Sequence, residues 1–229
     1  MIKRLLIVLL ILVGLAALAD RFVASAAGDG AAAEVRRSSR ADSAEVKFHG
    51  FPFATQAIRG RFDRVDVVAR DVPESGLTLT RIDATFTGVR LDLENALAGE
   101  ISGVPTDSAA ATVRVSYADL NAWLRERGNV SVSWGATGAV VAGEINVRGA
   151  SVSARGVASA AVNDKGVVLR VTEATAEGVQ IPKSALGLLS VQLNLGDLPF
   201  GIKLTSARAD RDGILIRGTA TGIVIPTRR

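Results

Sequence analysis

Hydrophobic and polar positions change rhythm along this chain, and each change marks a different element. Every position from Leu5 to Ala19 is apolar or glycine, directly behind Lys3 and Arg4. Residues 20–45 then mix Ala, Arg, Ser and Asp, which predicts a polar helix or a linker. From Val46 onward the period shortens to two. Val65, Val67 and Ala69 alternate with Arg64, Asp66 and Arg70, the pattern of a half-buried strand. Leu77 and Leu79 hold one parity, Ile82, Ala84 and Phe86 the other, and Val89, Leu91 and Leu93 the first again. Two parity changes in one strand predict irregularities near Thr80-Arg81 and at Gly88, as in a strongly curved sheet.

Helical spacing returns twice. Ser116 and Asp119 form a capping start for a helix from Tyr117 to Arg127, with Leu120, Trp123 and Leu124 on one face and Gly128 as its stop. Pro182 opens a predicted helix over Lys183 to Leu193, carrying Leu186, Leu189, Val191 and Leu193. Between them run short strands from Val130 to Ala161, rich in Gly, Ala and Ser. Asn163-Asp164-Lys165-Gly166 and Arg211-Asp212-Gly213 are hairpin turns. The expectation is α+β: a strongly curved antiparallel sheet with two inserted helices.

The apolar opening reads as an address. Fifteen residues behind two cations are short for a membrane span of ~20, and Ala17-Leu18-Ala19 offers a cleavage pattern before Asp20. Ala24-Ser25-Ala26 is a second candidate, and an uncleaved anchor is the rival reading. Either outcome places the rest of the chain outside the cytoplasm. The expected organisation is a signal peptide or anchor over 1–19, a polar helix or linker over 20–45 and one domain over 46–229. The formal charge of +4 falls to +2 if Lys3 and Arg4 are removed, leaving 25 basic against 23 acidic residues. That balance argues against a dedicated nucleic-acid binder, while a mildly cationic surface suits anionic headgroups.

Candidate chemistry is sparse. There is no cysteine, so no disulfide, thiolate nucleophile or lipoprotein attachment. His49 is the single histidine, and any histidine-dependent relay would have to pass through it. The pairs Asp63/Asp66, Asp92/Glu94 and Asp210/Asp212 could serve glycoside cleavage, but Arg64, Arg90 and Arg211 are interleaved with them, as on a solvated strand face. Gly28-Asp29-Gly30 lacks the preceding strand that a dinucleotide fingerprint needs. The reading is a non-enzyme with no metal and no cofactor.

Gly50-Phe51-Pro52-Phe53-Ala54-Thr55-Gln56, followed by Gly60-Arg61-Phe62-Asp63-Arg64-Val65, resembles the opening of the actinobacterial LmeA-like family of phospholipid-binding envelope proteins. Asp71-Val72, Phe86-Thr87-Gly88-Val89, Leu198-Pro199-Phe200-Gly201 and Asp212-Gly213-Ile214 continue the likeness in order, over roughly residues 20–225. The resemblance implies a fold similar to tubular lipid-binding (TULIP-like) proteins, with a sheet wrapping a helix around an apolar channel. It also implies binding of diacyl phospholipid and a role in the maturation of mannan-bearing lipid. The stretch Ser131 to Ala161 departs by its lack of large apolar residues, which leaves the channel's dimensions open.

A ten-residue strand spans ~33 Å, enough to sheathe an acyl chain about half as long as a ~30 Å hydrocarbon core is thick. The residues assigned to lipid are Phe51, Phe53, Phe86, Trp123, Leu186, Leu189, Leu193 and Phe200. For Phe51 and Phe53 the alternatives are channel mouth or membrane contact against a plug in the core. Pro52 sets the two rings in different directions, one of them inward. For Trp123 and the leucines the alternative is plain helix–sheet packing. The functional expectation is a lipid carrier or presenter of the cell envelope, with phospholipid and the membrane surface as partners. The other class is a scaffolding partner of envelope biosynthetic enzymes with a closed core.

Overall fold

The chain opens with one long helix, α1 (Ile2–Ser39), which runs from the apolar opening through the segment expected to be a polar helix or linker. In this computed structural model residues 2–91, 103–147, 150–194 and 201–225 are described. Among them, no helix is long and apolar enough to cross a membrane. Strand β1 (Ser43–His49) follows, then a short helix α2 (Phe53–Ile58) and the long strands β2 (Arg61–Glu74), β3 (Leu77–Arg90) and β4 (Val104–Val115). Helix α3 (Tyr117–Arg125) leads to β5 (Val130–Gly135), β6 (Gly138–Val147), β7 (Ala150–Asn163), β8 (Gly166–Ala176) and β9 (Val179–Gln180). A 3₁₀ turn (Lys183–Leu189), β10 (Val191–Asn194), β11 (Lys203–Asp210) and β12 (Gly213–Ile225) complete the chain.

The α+β expectation holds in its coarse form, mostly antiparallel sheet with a few helices, but the strands form two sheets rather than one. The first has the order β1-β2-β3-β4-β12-β11 and the second β10-β8-β7-β6-β5, with β9 beside β8. The chain divides into two compact units. Unit 1 comprises Met1–Ala69, Asp83–Ala110 and Ala220–Arg229, and unit 2 Arg70–Ile82 and Ala111–Thr219.

Unit 1 is built on α1. Asp20, Ala24 and Gly28 recur every four residues and are buried, and Ala31 and Val35 continue toward the same core. A Cβ on Gly28 would strike the Val46 carbonyl, so the absence of a side chain lets α1 lie directly on β1. Of the two alternatives, polar helix or linker, the segment is a helix, and it is held by small residues that carry little hydrophobic signal.

Unit 2 has an aliphatic core. Leu120 and Leu124 of α3, Val132, Val141, Val167 and Leu169 of the second sheet, and Ile214 of β12 belong to one buried cluster. Helix α3 starts where its cap predicts. The Ser116 hydroxyl accepts from the Asp119 amide at 3.1 Å, and the Gly128 amide donates to the Leu124 carbonyl at 3.0 Å. Both hairpins also form, with Asn163 paired to Gly166 and Asp210 to Gly213. Gly88 sits at φ +61 inside β3, the irregularity its parity change predicts.

The expected helix over Lys183 to Leu193 is corrected. Ser190 turns extended, and the residues beyond it pair with β8 from Val191↔Leu169 to Leu193↔Val167. Val191 and Leu193 are buried two residues apart, a strand spacing, and Gln192 between them bonds to Asn163. Four residues are too few for the period to be separated from that of a helix by pattern alone.

Candidate functional site

The segment His49–Asp63 of unit 1 is tied at both ends and at its helix start by side chains. Gly50 and Gly60 take φ +101 and +61, which favours glycine at both. The Gln56 amide donates to the His49 carbonyl at 3.2 Å and accepts from the Asp63 amide at 2.9 Å, closing the loop around α2. The ring of Phe53 is 5% exposed. It packs at centroid separations of 5.5 Å from Phe48 and 5.8 Å from Phe62, which are themselves 5.0 Å apart, all in tilted arrangements.

Asp20 locks this corner. Its carboxylate accepts from the amides of Phe53 at 2.7 Å and Ala54 at 2.8 Å, capping α2 from 33 residues away. The backbone donors of Ala54 and Phe53 hold its pKa below the ordinary carboxylate value, against an opposing push from burial. Asp20 is only 8% exposed.

Several large apolar side chains of α1 and of the loop and helix around α2 are exposed. Phe51 is 58% exposed, Phe22 78% and Ile58 82%, and Leu18 and Val23 are exposed as well. Each lies within five residues, along the chain, of the joint between Asp20 and the start of α2. Arg21 and Arg59 are exposed beside them. Large exposed apolar side chains near cations are what a surface needs to settle among lipid headgroups.

The structure distributes the sequence-assigned residues over two places. Phe53 is in the aromatic core of unit 1, and Phe86 packs half-buried against it. Phe51 points outward, so the two rings flanking Pro52 do part, one in and one out. Leu186, Leu189 and Leu193 belong to the aliphatic core of unit 2, with Leu189 1% exposed. Trp123 packs half-buried against that core and carries the Arg127 guanidinium 4.2 Å from its ring centroid. Phe200 lies outside the described residues.

Four of the titratable candidates, His49, Asp66, Asp210 and Asp212, lie in ion-pair contacts. His49 ends β1, and its Nε2 is 2.8 Å from Asp66 Oδ2, an ion pair only when the imidazole is protonated. Asp66 also accepts from Arg64 through two nitrogens at 2.8–2.9 Å and from the Thr85 hydroxyl at 2.8 Å. Arg64 first, and Thr85 after it, keep the Asp66 carboxyl below its ordinary range. Asp210 is similarly held by Arg114, with contacts of 2.6 and 3.1 Å. Asp92 and Glu94 lie outside the described residues. Among the described residues no group of three His, Asp or Glu side chains could hold a metal.

Sequence reasoning missed Asp20, Phe22 and Ile58. Their signal is present only in hindsight of the fold: an aspartate one step past the apolar run, and aromatic and branched residues in otherwise polar surroundings.

A sequence model of the family described as LmeA-like phospholipid-binding matches residues 18–219. No curated protein and no solved structure matches the chain.

Proposed function

The chain belongs to the LmeA-like phospholipid-binding family, and from that membership we propose that it is an exported, non-catalytic protein of the cell envelope that carries or presents diacyl phospholipid. The match across residues 18–219 carries the proposal, because it takes in most of both units and starts just ahead of Asp20. Export follows from Lys3, Arg4 and the apolar run behind them. The tubular architecture, with sheet around helix, and a part in mannan-bearing lipid maturation are the finer steps that family likeness implies.

The exposed apolar corner supports a membrane-facing role for unit 1. Phe51, Phe22 and Ile58 have left the aromatic core to Phe48, Phe53 and Phe62, so they are available to lipid without cost to packing. Energetics favour carriage over storage. Burying ~30 methylenes at ~0.8 kcal/mol each amounts to about 24 kcal/mol relative to water, but a bilayer already supplies nearly all of it. Net transfer is then close to neutral, as a carrier requires.

Extraction and mass spectrometry of lipids from the protein purified out of bacterial cells test this reading. Stoichiometric diacyl phospholipid, with uptake of a fluorescent lipid, is the expected result. Absence of both overturns it. The scaffolding alternative draws on the closed aliphatic core of unit 2, where Leu120, Leu169, Leu189 and Leu193 are almost wholly buried. It predicts instead a stable complex with an envelope enzyme and no bound lipid.

A further inference from the structure

The apolar opening can be cut away after Ala19, cut away after Ala26, or kept as an anchor, and its pattern alone allows all three. The packing of α1 separates them. From Val13 to Ala19 every residue is exposed except the half-buried Ala17, and a Cβ on Gly14 would meet nothing. At Asp20 this changes within one residue. Its carboxylate takes the Phe53 and Ala54 amides, Ala24 is buried, and Gly28 lies against the Val46 carbonyl. One peptide bond thus divides a stretch that gives unit 1 no buried residue from a stretch on which unit 1 is built.

The backbone hydrogen bonds divide at the same point. A helix amide donates to the carbonyl four residues earlier. A cut before Asp20 frees the amides of Arg21, Phe22 and Val23, all exposed residues that water reaches. A cut after Ala26 frees those of Gly28, Asp29 and Gly30, and Gly28 is buried against β1. It would also carry off Asp20 and Ala24, leaving the start of α2 without its cap and the aromatic core without a buried neighbour. The family match, which starts at residue 18, keeps Asp20 inside the shared region. Length argues against an anchor, since the fifteen residues from Leu5 to Ala19 fall short of the ~20 that a span takes.

We infer that the Ala19–Asp20 bond is a processing site, hydrolysed by a membrane-bound peptidase that reads small side chains, here Ala17 and Ala19, at the third and first positions before the cut. Water adds across the bond, the leader keeps the Ala19 carboxylate, and the exported chain begins with the Asp20 ammonium. The inference rests on the export reading above and deepens it, by making the residue that caps α2 the first residue of the finished fold.

The test is N-terminal sequencing and intact mass of the chain, expressed from its full gene with a C-terminal tag and recovered from bacterial envelope fractions. A single amino terminus at Asp20 is expected. Ala19→Leu should leave the precursor uncut, and Ala26→Leu should leave the cut where it is. Both positions are exposed, so neither change disturbs the packing of α1. A terminus at Ala27 or at Met1, or an Ala19→Leu chain still cut before Asp20, overturns the inference. Protease added to spheroplasts separates this failure from a failure of export. An uncut chain digested from outside overturns the processing site and leaves export standing, whereas an uncut chain protected inside defeats both.

Discussion

The two units of this chain solve the same packing problem with different residues. Of the seven phenylalanines, Phe22, Phe48, Phe51, Phe53, Phe62 and Phe86 fall in unit 1, while Trp123, Trp134 and Tyr117 fall in unit 2. Unit 1 closes a small core with three rings and a buried carboxylate. Unit 2 closes a larger one with leucine, isoleucine, valine and alanine, and among its described residues no charge is buried. A few large rings cover much area at few positions, which suits a unit whose helix approaches through alanine and glycine. Many branched aliphatics suit stacked strands. The difference teaches where function has room. In unit 1 the rings not used for the core stand exposed, while unit 2 keeps most of its large aliphatic side chains inside.

The largest effect expected is in unit 2. Leu189→Asp puts a charge at a fully buried position and should cost more than about 4 kcal/mol, abolishing the cooperative denaturation transition. A folded Leu189→Asp protein would show that the core there is not closed, and would restore Leu189 as a wall of a lipid channel.

In unit 1, Phe53→Ala should cost about 3–5 kcal/mol through loss of transfer energy and an unfilled space. Hydrogen exchange should show the loss concentrated in β1 and α2, with β6 to β8 still protected. Uniform loss across both units would erase the distinction between them.

Asp20→Asn should destabilise by less, and in a pH-dependent way. The folded pKa of Asp20 is depressed below the ordinary 3.8, so its stabilisation is complete above that value and disappears as pH falls through the folded one. Melting of the two proteins should differ steadily near neutrality and converge below about pH 4. A gap unchanged by acid would mean that the amide replaces the carboxylate fully at the α2 cap.

The smallest effect on stability is expected at Phe51. Phe51→Ser should stay within about 0.5 kcal/mol of the wild type in denaturation. Binding to anionic vesicles should nonetheless fall about tenfold, because burying a phenylalanine contributes roughly 1.5–3 kcal/mol and 1.4 kcal/mol is a factor of ten. Unchanged vesicle binding would remove this corner from the membrane contact.

Much of this fold was legible where a short-range signal fixes it. The Ser116 cap, the turn at Asn163 to Gly166 and the strand character of β2 and β3 all depend on neighbours within a few residues. What escaped depends on distance. Nothing local tells that the carboxylate at residue 20 will cap a helix at residue 53, or that Gly28 belongs against Val46 and not in a loop. The outward and inward rings at Phe51 and Phe53 were legible from Pro52, but which ring faced in was decided by the Asp20 joint.

The central claim is that this chain holds phospholipid, and native mass spectrometry of the full chain, purified from bacterial cells in mild detergent, tests it most directly. The account predicts a population heavier than the bare chain by the mass of one diacyl phospholipid, released intact on activation. A single species at the bare-chain mass, under conditions that keep the protein folded, would contradict it.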